Sequence, residues 1–170
     1  MSEPRTSRVG ADVGGTFTDV VLQFDTGEVR VRKVLSTPPG YDRAVVDAVR
    51  ELLADVGDGN LAVVTPDSLM EPMEAALHAA GIEHGRATRT GLEGAVTVVP
   101  VSVVKGLELD GVIVVEPARI VAEESQGLRA LYVALTRSTR RLTVVHAEPL
   151  PAAMTGGMAQ HNGSAASAAG

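Results

Sequence analysis

Cysteine and tryptophan are both absent from the chain, and two tyrosines and two phenylalanines are its only aromatics, 2% of 170 residues. Without thiols there are no disulfide staples and no thiolate metal sites, which fits a reducing, cytoplasmic compartment. With so few rings the core must be built from Val, Leu, Ile and Ala, and it has few large anchors. The longest apolar run, near Val98 to Val104, is far too short to cross a bilayer, and the first nine residues are polar, with Arg5 and Arg8. A soluble cytoplasmic protein with no membrane partner is expected. The histidines, His78, His84, His146 and His161, form no i,i+4 pair and no HExxH, so no metal site is expected and all four read as structural or surface residues. No GxSxG elbow is present for a serine nucleophile.

A strong charge of either sign is also missing. The net charge is −6, and a split at Asn60 leaves −3 on each side, 7 basic against 10 acidic and then 8 against 11. Bulk charge therefore gives no reason for non-specific nucleic-acid binding. Arg129, Arg137, Arg140 and Arg141 form a local cluster able to meet phosphates.

Patterning divides the chain near residues 56 to 61. Before it, Arg8 to Phe24 and the alternating VRVRKVL after Asp25-Thr26-Gly27-Glu28 predict two or three antiparallel strands. From Tyr41, Val45, Val49, Leu52, Leu53 and Val56 recur at helical spacing up to Gly57. After it, LAVVTP predicts a buried strand. Ser68 and Glu71 form a capping box for a helix to Ala80, with Pro72 tolerated in its first turn. VTVVPVSVV and GVIVVEP read as strands covered on both faces. A loop is expected over Pro117 to Glu124, then a helix with Leu128, Leu131, Tyr132 and Leu135 on one side, Tyr132 in the core. RLTVVHAEP is the last strand. Glu123 and Glu124 precede the helix, where negative charge suits its dipole. Strands alternating with helices predict an α/β layer structure after residue 60. The tail, 150–170, is poor in bulky side chains from about Ala152 and is expected to be disordered.

Two motifs carry chemistry. DVGGTFTD, from Asp12 to Asp19, places Gly14 and Gly15 at a turn where backbone N–H groups can approach phosphate oxygens, with hydroxyls from Thr16 and Thr18. Asp12 and Asp19 suit a magnesium ion or a metal-bound water. A plain Gly-Gly hairpin turn accounts for the same residues. The wider stretch, about residues 7 to 53 within a 1–56 segment, resembles the hydantoinase/oxoprolinase A subunit, a family similar to actin-like ATPases. That resemblance puts Asp12, Gly14, Gly15, Thr16 and Asp19 against nucleotide phosphates. The second phosphate loop and adenosine-binding segment that the family needs are not found.

The second constellation is KGLELD, Lys105 to Asp110, followed by LYVALTRSTRR, Leu131 to Arg141. With its flanks, over about residues 61–149, it resembles the C-terminal motor domain of UvrD/Rep-like superfamily-one helicases, the helicase IV-like branch in particular. The two segments stand in that family's order and spacing. The resemblance implies a RecA-like, P-loop NTPase-type half-domain with a parallel sheet, preceded here by a hairpin-and-helix segment of actin-like ATPase type. It implies ATP as the ligand, Gly106 and Glu108 beside the nucleotide sugar, and Lys105 and Thr136 supporting the cleft and its coupling to a DNA strand. It implies Arg137, whose planar fork can neutralise charge on the γ-phosphate, as the arginine finger. Glu108 also reads as a loop residue capping a turn, and Arg140 and Arg141 as a solvated face. Leu109 stands where the family usually has Phe, and Ser138 where it commonly has Ala. No GxxxxGK[ST] occurs, and no acidic Walker B strand precedes these segments.

The sequence thus predicts a fragment or fusion carrying a helicase-type motor half that is inactive alone. Single-stranded DNA, or a partner motor domain supplying the Walker loop, is the expected partner. A fragment of an ATP-dependent hydantoinase acting on cyclic amides, and a non-enzymatic module docking on a motor, are the alternatives.

Overall fold

Alternation between valine-rich runs and amphipathic segments produces one eight-stranded sheet with helices on both faces. The computed structural model describes the backbone of residues 6–13, 17–24, 29–36, 41–87, 92 and 94–155, and side chains from residue 42 onward. The elements are β1 (Thr6–Val13), β2 (Phe17–Phe24), β3 (Val29–Ser36), α1 (Tyr41–Val56), β4 (Leu61–Thr65), α2 (Met70–Ala79), β5 (Gly85–Arg86), β6 (Val96–Pro100), β7 (Leu109–Val115), α3 (Pro117–Glu123), α4 (Gly127–Leu135), β8 (Ser138–His146) and α5 (Ala152–Thr155). The sheet order is β1-β2-β3-β8-β7-β4-β6-β5. The last five strands of that order, β8 through β5, are parallel, as continuous apolar runs predict. The first three form an antiparallel meander, and β3 joins β8 in parallel through Val34–Ser36 opposite Val144–His146.

Successive side chains of each central strand enter opposite layers. On one face Val63, Val98, Ile113, Val115 and Val145 pack under Val45, Val49 and Leu52 of α1 and Met73 and Leu77 of α2. On the other, Val64, Val99, Val114 and Val144 pack under Ile120 of α3, Leu131 and Leu135 of α4 and Met154 of α5. The helix that begins in the hairpin-bearing part therefore covers the sheet of the second part. Gly111 permits that closeness: a Cβ there would lie 2.8 Å from Leu61 and 3.4 Å from Leu52 of α1.

Several local expectations are corrected. The Ser68 capping box does not form: Asp67–Leu69 is a 3₁₀ turn, Leu69 caps α2 without a side-chain bond, and the Ser68 hydroxyl donates to Glu123 at 2.6 Å. The second half of VTVVPVSVV is no strand, because Pro100 ends β6 and Val101–Val103 turn as 3₁₀. Pro117–Glu123 is helix rather than loop, with Pro117 at the first helical position, where its missing N–H costs nothing. Tyr132 is 41% exposed and Leu128 55%, so α4 buries Leu131, Ala134 and Leu135 instead. The start of the expected unpacked tail folds as α5, which buries Met154. Residues 156–170 lie outside the described residues.

Candidate functional site

Parallel strands leave all their amino ends on one edge, and the second constellation assembles there. KGLE runs directly into β7 and LTR directly into β8. The Leu109 amide donates to the Arg137 carbonyl at 3.2 Å, and Leu109 stands opposite Ser138 in the register. Glu108 and Arg137, 29 positions apart in sequence, are thereby neighbours: Glu108 precedes the donor of that bond and Arg137 is its acceptor. Gly106 turns at φ +87°, a conformation glycine adopts at little cost, and Lys105, Gly106 and Glu108 are all exposed.

Past Leu109 the register slips: Gly111 faces Arg141, so β8 carries one extra residue between positions 138 and 141. Two hydroxyls fasten this bulge. Ser138 donates to the Arg141 carbonyl at 2.5 Å and Thr139 to the Leu109 carbonyl at 3.2 Å. The serine in place of the usual alanine thus has a bonded role.

Arg137 is half-buried at the end of α4. Its Nε donates to the Val133 carbonyl at 3.2 Å and a terminal nitrogen reaches the Thr136 hydroxyl at 3.4 Å. The Thr136 hydroxyl lies 3.0 Å from the carbonyls of both Tyr132 and Val133. Cations suit this end of a helix, where carbonyls lack partners.

Beside it, an open groove of about 300 Å³ runs between the 3₁₀ turn and α4, lined among others by Ser102, Lys105, Gln126, Arg129 and Val133. Glu124 also lines it. Arg129 donates to Gln126 at 3.1 Å. Arg129 and Val133 line the groove from α4, and the Arg137 guanidinium, two residues past the helix end, bonds the Val133 carbonyl.

The four-arginine cluster expected from the sequence divides. Arg140 donates to the Val56 carbonyl at the end of α1 at 3.2 Å and lies 3.9 Å from Asp110, and Arg141 bonds Asp55 at 3.0 Å. They fasten α1 to the sheet and are not a solvated face alone. Sequence spacing carries no sign of this, since their partners on α1 lie more than 80 residues away.

Of the first motif, Asp12 and Asp19 stand opposite each other in the β1–β2 ladder. Gly14, Gly15 and Thr16 lie outside the described residues, as do the side chains of Asp12 and Asp19. Among the described residues no group of three His, Asp or Glu side chains is placed to hold a metal ion, and no helix is long and apolar enough to cross a membrane.

Residues 95–145 match the family model described as the UvrD-like helicase C-terminal domain. That part of the chain is similar to a UvrD-like helicase C-terminal domain. The match contains Lys105, Gly106, Glu108, Thr136 and Arg137. Residues 8–69 match the hydantoinase/oxoprolinase N-terminal region, so that match runs through α1 and β4 into the helicase-like sheet. Among solved structures, the C-terminal domain of a possible DNA helicase from Lactobacillus plantarum WCFS1 is similar at 29% identity and a TM-score of 0.57, over 71% of this chain and 76% of that one. Its likeness makes the parallel sheet and its helices an α/β fold of the RecA-like helicase kind. The arterivirus nonstructural protein 10 helicase is similar at 18% identity and a TM-score of 0.48, over 93% of this chain and 47% of that one. The SWI2/SNF2 ATPase core of Sulfolobus solfataricus is similar at 14% identity and a TM-score of 0.48, over 68% and 27%. No curated protein sequence matches the chain.

Proposed function

We propose that this helicase-related chain supplies the finger-bearing half of an ATP-driven DNA motor and does not turn over nucleotide by itself. The observation that carries the reading is the Leu109 to Arg137 backbone bond, which sets the KGLE and LTR segments side by side at one sheet edge. Arg137 would meet phosphate charge, with Gly106 and Glu108 at the sugar. Lys105 and Arg129 in the groove are suited to a strand's phosphates, where cations supply most of the sequence-independent affinity. The sequence contains no GxxxxGK[ST] to hold the β- and γ-phosphates opposite Arg137. A partner domain carrying that loop would complete the site.

The reading predicts weak ATP binding by the purified chain, weakened further in Arg137→Ala and unchanged in Asp12→Ala, followed by displacement of a fluorescent ATP analogue. The match of residues 8–69, with Asp12 and Asp19 in register on the strands that flank Gly14 and Gly15 in sequence, supports a second reading, a fragment of an ATP-dependent hydantoinase. Binding abolished by Asp12→Ala and untouched by Arg137→Ala would favour it and overturn the first.

A further inference from the structure

Three arginines within five residues are held in different ways. Arg141 is held by a carboxylate at 3.0 Å, and Arg140 by a helix-end carbonyl with a carboxylate 3.9 Å away. Among the described residues Arg137 has neutral acceptors alone, the Val133 carbonyl at 3.2 Å and the Thr136 hydroxyl at 3.4 Å. A phosphate adds direct attraction between opposite charges and a two-pronged fit to the guanidinium fork, which these neutral oxygens do not offer, so it competes well for the same donors. The backbone beneath them does not give way in the same manner. The Arg137 carbonyl is bonded by Leu109, and the bulge after it is fastened by Ser138 and Thr139.

We propose that Arg137 has two positions, parked on the last turn of α4 in the chain alone and swung onto a polyphosphate when one is present, with Thr136 as the positioning residue that holds the parked form. Thr136 suits this task because its one hydroxyl satisfies a carbonyl of its own helix turn while accepting from the guanidinium. Parking shields the charge of the finger until a ligand competes for it. The swing rests on the finger assignment proposed above, whereas the parked state rests on the geometry alone.

The test is the ¹⁵N-resolved Nε–H signal of Arg137, assigned by its loss in Arg137→Lys. Its hydrogen exchange in the chain alone should be slower than that of an exposed arginine such as Arg129. Thr136→Val should speed that exchange about fivefold, the equivalent of one ordinary hydrogen bond, and Thr136→Ser should restore it. Inorganic triphosphate should move the signal in the wild type, and should do so at a lower concentration in Thr136→Val. Arg137 exchange as fast as Arg129, or exchange unchanged in Thr136→Val with the backbone spectrum intact, overturns the parked state. Slowed exchange with no response to triphosphate leaves parking standing and overturns the swing, and with it the finger assignment.

Discussion

Asn60 and Asp110 bind each other reciprocally: the Asn60 amide donates to an Asp110 carboxylate oxygen at 3.1 Å, and the Asp110 amide donates to the Asn60 side-chain oxygen at 2.9 Å. The Gly111 amide adds a bond to the Asn60 carbonyl at 3.0 Å. The turn after α1 is thereby locked to the start of β7, two residues from Glu108. Asp110→Ala should lower the unfolding free energy by about 1–3 kcal/mol, since it strands the part-buried Asn60 amide. Asp110→Asn, which keeps an acceptor oxygen, should cost less than half of that. Urea unfolding of the two variants checks the ranking, and equal losses would count against the lock.

Glu116 is 1% exposed and left-handed at φ 47°, at the carboxyl end of β7. Its carboxylate accepts from the amides of Ala147 at 2.5 Å and Glu148 at 3.3 Å. A bulky residue holds that conformation at a cost unless its surroundings fix it. Glu116→Ala should therefore destabilise the chain by about 1.5–3 kcal/mol, the range for bonds to a charged group. Thermal unfolding at neutral pH reads the loss, and a variant as stable as wild type would remove Glu116 as the strap that ties the chain after β8 to β7.

A bidentate ion pair joins α2 to β5: Arg86 donates to both Glu74 oxygens at 2.6 Å. The hydrogen bonds from Arg86 hold the Glu74 carboxyl below its ordinary value of 4.5. A carboxylate whose folded value is depressed contributes stability above its unfolded value and loses it as pH falls through the folded one. Wild type and Arg86→Ala should thus differ most above pH 5 and converge below pH 4.5, with the variant showing the shallower decline in acid. The effect is small, because the pair is largely in water. Parallel acid titrations of stability test it, and a gap that widens in acid would refute it.

Lys105 and Arg129 line one groove from different elements. If they receive phosphates, the double substitution to alanine should weaken binding of an oligothymidine strand and lower the slope of log affinity against log salt by about 1 to 2. Arg140→Ala with Arg141→Ala should leave that slope unchanged, because those side chains are taken by α1. Fluorescence anisotropy at several salt concentrations separates the two pairs. Equal losses in both would mean diffuse charge and no groove.

The layers and the site edge were legible in the sequence for different reasons. Continuous Val runs gave the buried strands, and Val45, Val49 and Leu52 at helical spacing gave α1. KGLE and LTR were legible through their order and spacing, and the sheet's parallel register then set Leu109 beside Arg137. The misses came where long-range contact overrode a local signal. Ser68 reads as a cap but is taken by Glu123, 55 residues away, and Pro117 reads as a breaker although it opens a helix whose cap is a left-handed glutamate. Tyr132 reads as core from its ring, yet the neighbouring turn of α4 buries Ala134 and Leu135. No pattern could announce that Arg140 and Arg141 belong to α1, nor that Met154 is held under the sheet.

ATP turnover by the purified chain, measured with and without single-stranded DNA, decides whether it is half a motor or a whole one. No hydrolysis above background is expected under either condition, because the sequence has no GxxxxGK[ST] to complete a site with Arg137. DNA-stimulated turnover that disappears in Arg137→Ala would show that this polypeptide holds a complete engine, and would contradict the account.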